Sequence, residues 1–193
     1  MKETRSMNER LTESELIEAS RAGDDSAFEE LFRRNQRRVY SVALNFFGGN
    51  SQTAEDITQQ AFLKLYRGLK AFRGDAMVST WLYRVTVNLC IDERKRGGRF
   101  EFLRDLLGPR ELGSAASVEP AAESIEVSEE VRKALLEIRP EYRMPIILKH
   151  VEGMTYAEMA DVLELPEGTV ASRLSRGHRI LAEKLEHLKD KVH

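Results

Sequence analysis

Large apolar side chains in this chain recur at steps of three and four residues, and strict apolar–polar alternation never lasts. That pattern excludes extended sheet and prescribes amphipathic helices. Phe28, Leu31, Phe32, Val39, Tyr40, Ala43 and Phe47 mark one long helix from about Ala27, ending at Gly48-Gly49. Ile57, Ala61, Phe62, Leu65, Tyr66 and Leu69 form the ridge of a second, from about Thr53 to Leu69. A third spans roughly Ser79 to Arg96, with Trp81, Leu82, Val85 and Leu89 as its expected buried face. A shorter helix, near Thr12 to Arg21, precedes them. Leu63, Val87 and Ile91 are apolar beyond these ridges. Either the bundle buries most of each helix, or one face docks another protein.

The chain of 193 residues divides near its middle. From Gly108 to about Glu126 it is small residues, two prolines and acidic groups, with too little apolar surface to offset the entropy of ordering. We read a flexible acidic linker there, within 98–127, between domains at 10–97 and 128–190. The expected fold is therefore all-α, two small helical domains on a flexible linker. Phe100, Phe102, Leu103, Leu106 and Leu107 are more apolar than a free linker needs and are expected to dock on a domain or partner. The net charge is −2, so any surface for a polyanion must come from local segregation. One cysteine, Cys90, excludes an internal disulfide and any multi-cysteine zinc site. It lies among apolar neighbours and is expected to be buried and inert. Met1 to Leu16 is too charged for a signal peptide, and no apolar run approaches the roughly 20 residues of a membrane span. A reducing cytoplasm is the expected compartment, with no membrane contact of the chain's own.

The strongest local pattern runs from Thr155 to His178. Thr155 and Glu158 have capping-box spacing. Ala157, Ala160 and Leu163 are expected to give a short helix with a small-residue face. Pro166 stops that helix and suits the start of the next. The next helix carries Val170, Leu174, Gly177, Leu181, Leu185 and Leu188 on one side. Its other side groups Ser172, Arg173, Ser175, Arg176 and Arg179, hydroxyls and guanidiniums suited to phosphates and base edges. Two short helices with a longer, basic second one make a helix-turn-helix. Such a unit also serves in protein docking, and a charged, solvated helix is the bland alternative. Two helices lead into it, one using Val127, Val131, Ala134, Leu135 and Ile138, the other Tyr142, Pro145, Ile146 and Val151, with Pro145 expected in the first turn. The C-terminal domain is thus a four-helix domain.

Four stretches, in order, resemble the bacterial sigma factors of the extracytoplasmic-function group of the sigma-70 superfamily. Ala54-Glu-Asp-Ile-Thr-Gln-Gln-Ala-Phe-Leu-Lys-Leu-Tyr-Arg67 resembles that family's core-polymerase-binding helix. Phe72 to Asp92 resembles the minus-ten and promoter-melting element. Tyr142 to Tyr156 resembles the lead-in to the minus-35 reader, and Gly168 to Arg176 the reader helix. The resemblance implies a protein that binds core RNA polymerase and directs it to a promoter without catalysing RNA synthesis. It implies docking through Asp56, Gln59, Gln60, Leu63 and Lys64. It implies minus-ten contacts from Arg73, Asp75, Ser79, Thr80, Arg84 and Asn88, where a flipped base needs a pocket and a backbone anchor. Trp81 is a candidate stacking platform, but core packing comes first because Leu82, Val85 and Leu89 share its face. Arg94, Lys95 and Arg96 either match the helix dipole or, the favoured reading, contact the duplex backbone. Minus-35 contacts fall on Ser172, Arg173, Ser175, Arg176 and Arg179. Thr155 and Tyr156 would position the backbone, and Gly168 and Thr169 would offer amides to a phosphate. An anti-sigma factor is an implied partner.

Two positions depart from the family pattern. Gln60 stands where an acidic residue is usual, and Glu164 where the turn often has glycine, which points to a different turn type. No cofactor and no metal is expected. The sequence has no Walker loop, no His-Glu-x-x-His and no plausible nucleophile set, which argues against an enzyme. The rival is a helix-turn-helix regulator acting on duplex DNA without polymerase; it leaves 54–67 and 72–92 unexplained.

Overall fold

Side-chain caps fix where the first three helices begin. Thr12 Oγ1 accepts from the Glu15 amide while Glu15 Oε2 accepts from the Thr12 amide at 2.7 Å, a reciprocal box that opens α1 (Glu13–Arg21). Asp24 accepts from the amides of Ser26 and Ala27 and opens α2 (Asp25–Phe46). Asn50 accepts from the Thr53 amide and opens α3 (Ser51–Gly68), which runs into a short 3-10 turn at Leu69–Ala71. α4 (Val78–Leu107) begins where the Val78 amide donates to Glu13 Oε1 at 2.7 Å, so a carboxylate of α1 sits at its positive end. The computed structural model describes residues 11–72, 77–107 and 129–189, with backbone alone at 71, 98–107 and 187–189.

The first four helices form one bundle around Leu31, Val42, Phe46, Ile57, Leu65 and Leu82, all essentially buried. The expected ridges shift by one position in places. On α2, Val42 and Phe46 are fully buried while Tyr40 and Phe47 pack at the margin. On α3, Tyr66 is 54% exposed rather than in the core. On α4, Thr86, Val87 and Cys90 are buried and Val85 only half-buried. α4 also runs on to Leu107, past the end expected at Arg96. Gly97 and Gly98 weaken a helix by about 1 kcal/mol each but do not stop it, and no proline follows until Pro109. The side chains of Phe100 to Leu107 and residue Val127 lie outside what is described.

The second bundle holds α5 (Glu129–Leu136), α6 (Pro140–His150), α7 (Tyr156–Leu163) and α8 (Glu167–Lys189). The four helices match the sequence reading; two details do not. Pro140 takes the first turn of α6, and Pro145 lies inside the helix, buried. In α7 the buried residues are Met159 and Val162, while Ala157 is exposed. Gly177 is where α8 crosses α6: a Cβ there would lie 2.8 Å from the Tyr142 carbonyl oxygen and 2.9 Å from Ile146. Only glycine permits that approach. Among the described residues there is no strand, and no helix is long and apolar enough to cross a membrane.

The two bundles lie against one another, α4 along α7 and the end of α2 against α5 and α6. Arg143 of α6 pins the second contact. Its side chain is 1% exposed; Nη1 donates to the Phe46 carbonyl of α2 at 2.8 Å, and other nitrogens donate to the carbonyls of Ile138 and Leu136. The guanidinium also lies 5.0 Å from the Phe46 ring centroid. Burial pushes its pKa down to about 10, helped by the nearby Arg94, and leaves it charged at neutral pH. Next to it Gly48 and Gly49, with φ of 62° and 88°, turn the chain under Leu136 and Arg132.

Candidate polymerase and promoter surfaces

α3 sorts its residues cleanly. Ile57, Thr58, Ala61, Phe62 and Leu65 face the bundle and are buried. Asp56, Gln59, Gln60, Leu63 and Lys64 are all exposed and share the opposite side. Leu63 is 46% exposed in that polar setting, and the exposed Tyr66 beside it meets Phe28 edge-on at 5.0 Å. Of the apolar residues beyond the ridges, Val87 goes into the core, Ile91 is half-buried and Leu63 stays outside. A helix face with acid, amide, ammonium and an exposed leucine can give both polar contacts and apolar burial to a partner.

The start of α4 carries the second set. Ser79 and Thr80 are half-buried in its first turn. Trp81 packs partly against the core, edge-on to Phe72 at 6.5 Å and 89°. That agrees with core packing first and leaves part of the ring exposed. Arg73 and Asp75 lie outside the described residues. Asn88 is exposed. Arg84 is not free: its Nε donates at 2.8 Å to the carbonyl of Asp161 in α7. Arg94, Lys95 and Arg96 are exposed; Lys95 lies 4.0 Å from Asp92 and Arg96 3.8 Å from Glu93. Because α4 continues past them, they are mid-helix and do not match a terminal dipole.

α7 and α8 build the third. Thr155 Oγ1 and Glu158 close the expected capping box, with the Thr155 amide donating to Glu158 Oε2 at 2.8 Å. Hydrogen bonds from Thr155 hold the Glu158 carboxyl below its usual pKa. Glu164 adopts the left-handed conformation, φ 54° and ψ 46°. The turn therefore keeps the glycine-type geometry that its glutamate had argued against, and Glu164 carries the strain. On α8, Val170, Leu174 and Gly177 are buried, Leu181 and Leu185 half-buried. Gly168, Ser172, Ser175, Arg176 and Arg179 are exposed, and Thr169 and Arg173 half-buried. The expected amide donor at Thr169 is already engaged, donating to the Pro166 carbonyl at 2.8 Å. Ser172 Oγ donates to the Thr169 carbonyl at 2.9 Å, so its oxygen lone pairs remain open to a donor. Arg176 lies 5.4 Å over the Tyr142 ring, which orients the guanidinium, and Arg179 lies 3.8 Å from Glu183. Tyr156 is 43% exposed, with the Lys149 ammonium 5.5 Å from its ring centroid.

His178 meets His150 of α6, Nε2 to Nε2, at 2.7 Å. Burial, then the second imidazole, presses the His178 pKa down. Among the described residues no cluster of three metal-ligating groups occurs. Cys90 is fully buried and burial pushes its thiol up to about 12, so it is an unreactive thiol at neutral pH.

Sequence reasoning missed the residues that join the bundles: Tyr83, whose hydroxyl meets a carboxylate oxygen of Glu152 at 2.6 Å, Asp161 and Arg143. Helical periodicity reports only which face of a helix is buried. The one available signal was a charged residue, Arg143, beside the apolar run Met144 to Leu148.

The sequence patterns of Sigma-70 region 2 and Sigma-70 region 4 match residues 31–100 and 128–181. The chain is 35% identical over 190 residues to the ECF RNA polymerase sigma-E factor of Escherichia coli K12, covering 94% of this chain and 98% of that one. It is 34% identical over 177 residues to the ECF RNA polymerase sigma factor SigM of Mycobacterium tuberculosis, covering 92% and 86%. Its fold is similar to the sigma factor RpoE solved in complex with the anti-sigma factor NepR from Bartonella quintana, at TM-score 0.65 and 23% identity over 82% of this chain and 96% of that one. It is equally similar to CnrH solved in complex with the cytosolic domain of CnrY, at TM-score 0.65 and 23% identity over 91% and 97%. With two helical domains in the order region 2, region 4, the chain belongs to the extracytoplasmic-function sigma factors of the sigma-70 family, non-catalytic proteins that bind core RNA polymerase and direct it to promoters.

Proposed function

We propose that the three surfaces divide the sigma-factor work among named residues, with region 2 at 10–97 and region 4 at 128–190. Asp56, Gln59, Gln60, Leu63 and Lys64 of α3 dock core polymerase. Ser79, Thr80, Arg84, Asn88 and the Arg94–Arg96 run of α4, with Arg73 and Asp75 ahead of them, meet minus-ten DNA. Ser172, Arg173, Ser175, Arg176 and Arg179 of α8 read the minus-35 duplex, with Thr155 and Tyr156 positioning the backbone. The single observation that carries this reading is the sorting of α8: its apolar side is packed against α6 through Gly177, and its hydroxyl and guanidinium side is exposed. The free chain works in the cytoplasm, where its polymerase partner is. RpoE of Bartonella quintana is solved in complex with the anti-sigma factor NepR, and CnrH in complex with the cytosolic domain of CnrY; we assign this chain an anti-sigma factor as a partner.

The test is a pair of separable losses. Arg176→Ala is expected to weaken minus-35 duplex binding by about 1–3 kcal/mol and to leave core binding by gel filtration unchanged. Leu63→Asp is expected to abolish core binding and leave duplex binding intact. If each substitution damages both activities equally, the division is wrong. A regulator without polymerase contact predicts no effect of Leu63→Asp at all.

A further inference from the structure

α6 and α8 cross at Gly177, so closely that a Cβ there would meet the Tyr142 carbonyl and Ile146. Each helix carries a histidine beside that crossing. His150 lies one helical turn beyond Ile146, and His178 follows Gly177. Their Nε2 atoms are 2.7 Å apart, with ring centroids at 4.9 Å and 58° between the ring planes. One Nε2 carries a proton and the other accepts it, so a single shared hydrogen holds the pair. A metal ion in place of that hydrogen turns both nitrogens into ligands. With metal–nitrogen bonds of about 2.0–2.1 Å, two neighbouring ligand nitrogens sit roughly 2.9–3.3 Å apart. The pair has to open by only about 0.2–0.6 Å. Both side chains are exposed, so their torsions can supply that movement and water can fill the remaining coordination positions. The ligand form of histidine is the neutral one, and desolvation, then the second imidazole, presses the His178 pKa down. The cations next to them in sequence are turned to other partners: Lys149 Nζ donates to the Met154 carbonyl at 3.2 Å, and Arg179 lies 3.8 Å from Glu183.

We propose that His150 and His178 form a two-histidine site for a divalent transition-metal ion of the kind imidazole prefers (nickel, copper or zinc), bridging α6 to α8. Two protein ligands completed by water make an exchangeable site, unlike the closed four-ligand set of structural zinc. The ligands come from different helices and meet only in the folded bundle. The ion therefore binds the native state and not the unfolded chain, and it stabilises region 4. The site owes nothing to the assignment of α8 as a promoter reader, since neither histidine belongs to that set.

The test adds nickel chloride to the full, untagged chain after it has been stripped with a chelator. At a nickel concentration about ten times its dissociation constant, the melting temperature is expected to rise by about 3 °C or more. His150→Ala and His178→Ala are each expected to remove that rise and to weaken nickel binding about tenfold or more, read by calorimetric titration. His187 lies about 13 Å further along α8 at ~1.5 Å per residue, so His187→Ala is expected to keep both effects. No nickel binding by the native chain, binding that survives in His150→Ala, or binding lost in His187→Ala overturns the proposal. Because a substitution could disturb the α6–α8 packing, the second measurement uses the native chain alone. Substoichiometric nickel, which is paramagnetic, is expected to broaden the ring resonances of His150 and His178 together and first. Earlier broadening of His187 or His193 overturns the assignment.

Discussion

Single residues carry costs that can be measured one at a time. Glu164 is the one described non-glycine residue with positive φ, a conformation that costs about 1–2 kcal/mol for a residue with a Cβ. Glu164→Gly is expected to raise the stability of the region 4 bundle by about 0.5–1 kcal/mol after the extra freedom of the unfolded glycine is discounted; an unchanged denaturant midpoint would show that the turn is unstrained. Glu30 is nearly buried in α2, receives Arg33 Nε and Nη2 at 2.8 Å each and Arg34 Nε at 2.6 Å, and its pKa is lowered chiefly by the Arg33 hydrogen bonds. A depressed carboxyl pKa stabilises the fold above the unfolded value of about 4.5 and loses that stabilisation as pH falls through the folded one. The stability gap between the native chain and Glu30→Gln is therefore expected to be full at neutral pH and to narrow below pH 4.5. A gap constant from pH 7 to pH 3 contradicts the assignment. Arg143 donates to the carbonyls of Phe46, Ile138 and Leu136; Arg143→Ala is expected to cost about 2–4 kcal/mol, read in the same denaturation assay.

Elements were more legible than their partners. The period of three and four residues placed the helices, and the Thr155–Glu158 spacing placed the start of α7, because both signals are local. The same locality explains the misses. The helix expected to end near Arg96 continues to Leu107: the two glycines that follow Arg96 lower helix stability without removing a hydrogen bond, and the helix persists. Ala157 belongs to the small-residue face expected of this helix, yet Met159 and Val162 bury more apolar surface and take the core side. The proposed surfaces for polymerase and minus-ten DNA are legible only through the family resemblance; that Arg84 is engaged across the bundles is not legible at all, since hydrogen bonds between distant segments leave no periodic trace. The crossing of α6 and α8 gives a sharp element-scale prediction. Gly177→Ala improves helix propensity by about 1 kcal/mol but drives a Cβ to 2.8 Å from the Tyr142 carbonyl. The net effect is expected to be a loss of about 1–3 kcal/mol with weakened duplex binding, because α8 must move off α6. A more stable variant would show that the crossing has slack.

At the scale of the whole molecule, the three proposed surfaces follow one another along the chain. An exposed face on α3 precedes the mid-helix basic run of α4, and a second bundle presents α8. The near-balance of charge, −2 overall, fits a protein whose nucleic-acid contacts are local patches rather than a global field. Family membership supplies the process, promoter-directed transcription, in which the proposed patches would act. The measurement that tests this account most directly is run-off transcription with purified chain, bacterial core polymerase and a pool of promoter fragments. The account predicts discrete transcripts that depend on the chain, that disappear with Leu63→Asp, and that with Arg176→Ala weaken most at promoters relying on their minus-35 element. No chain-dependent transcripts and no binding to core polymerase would contradict it.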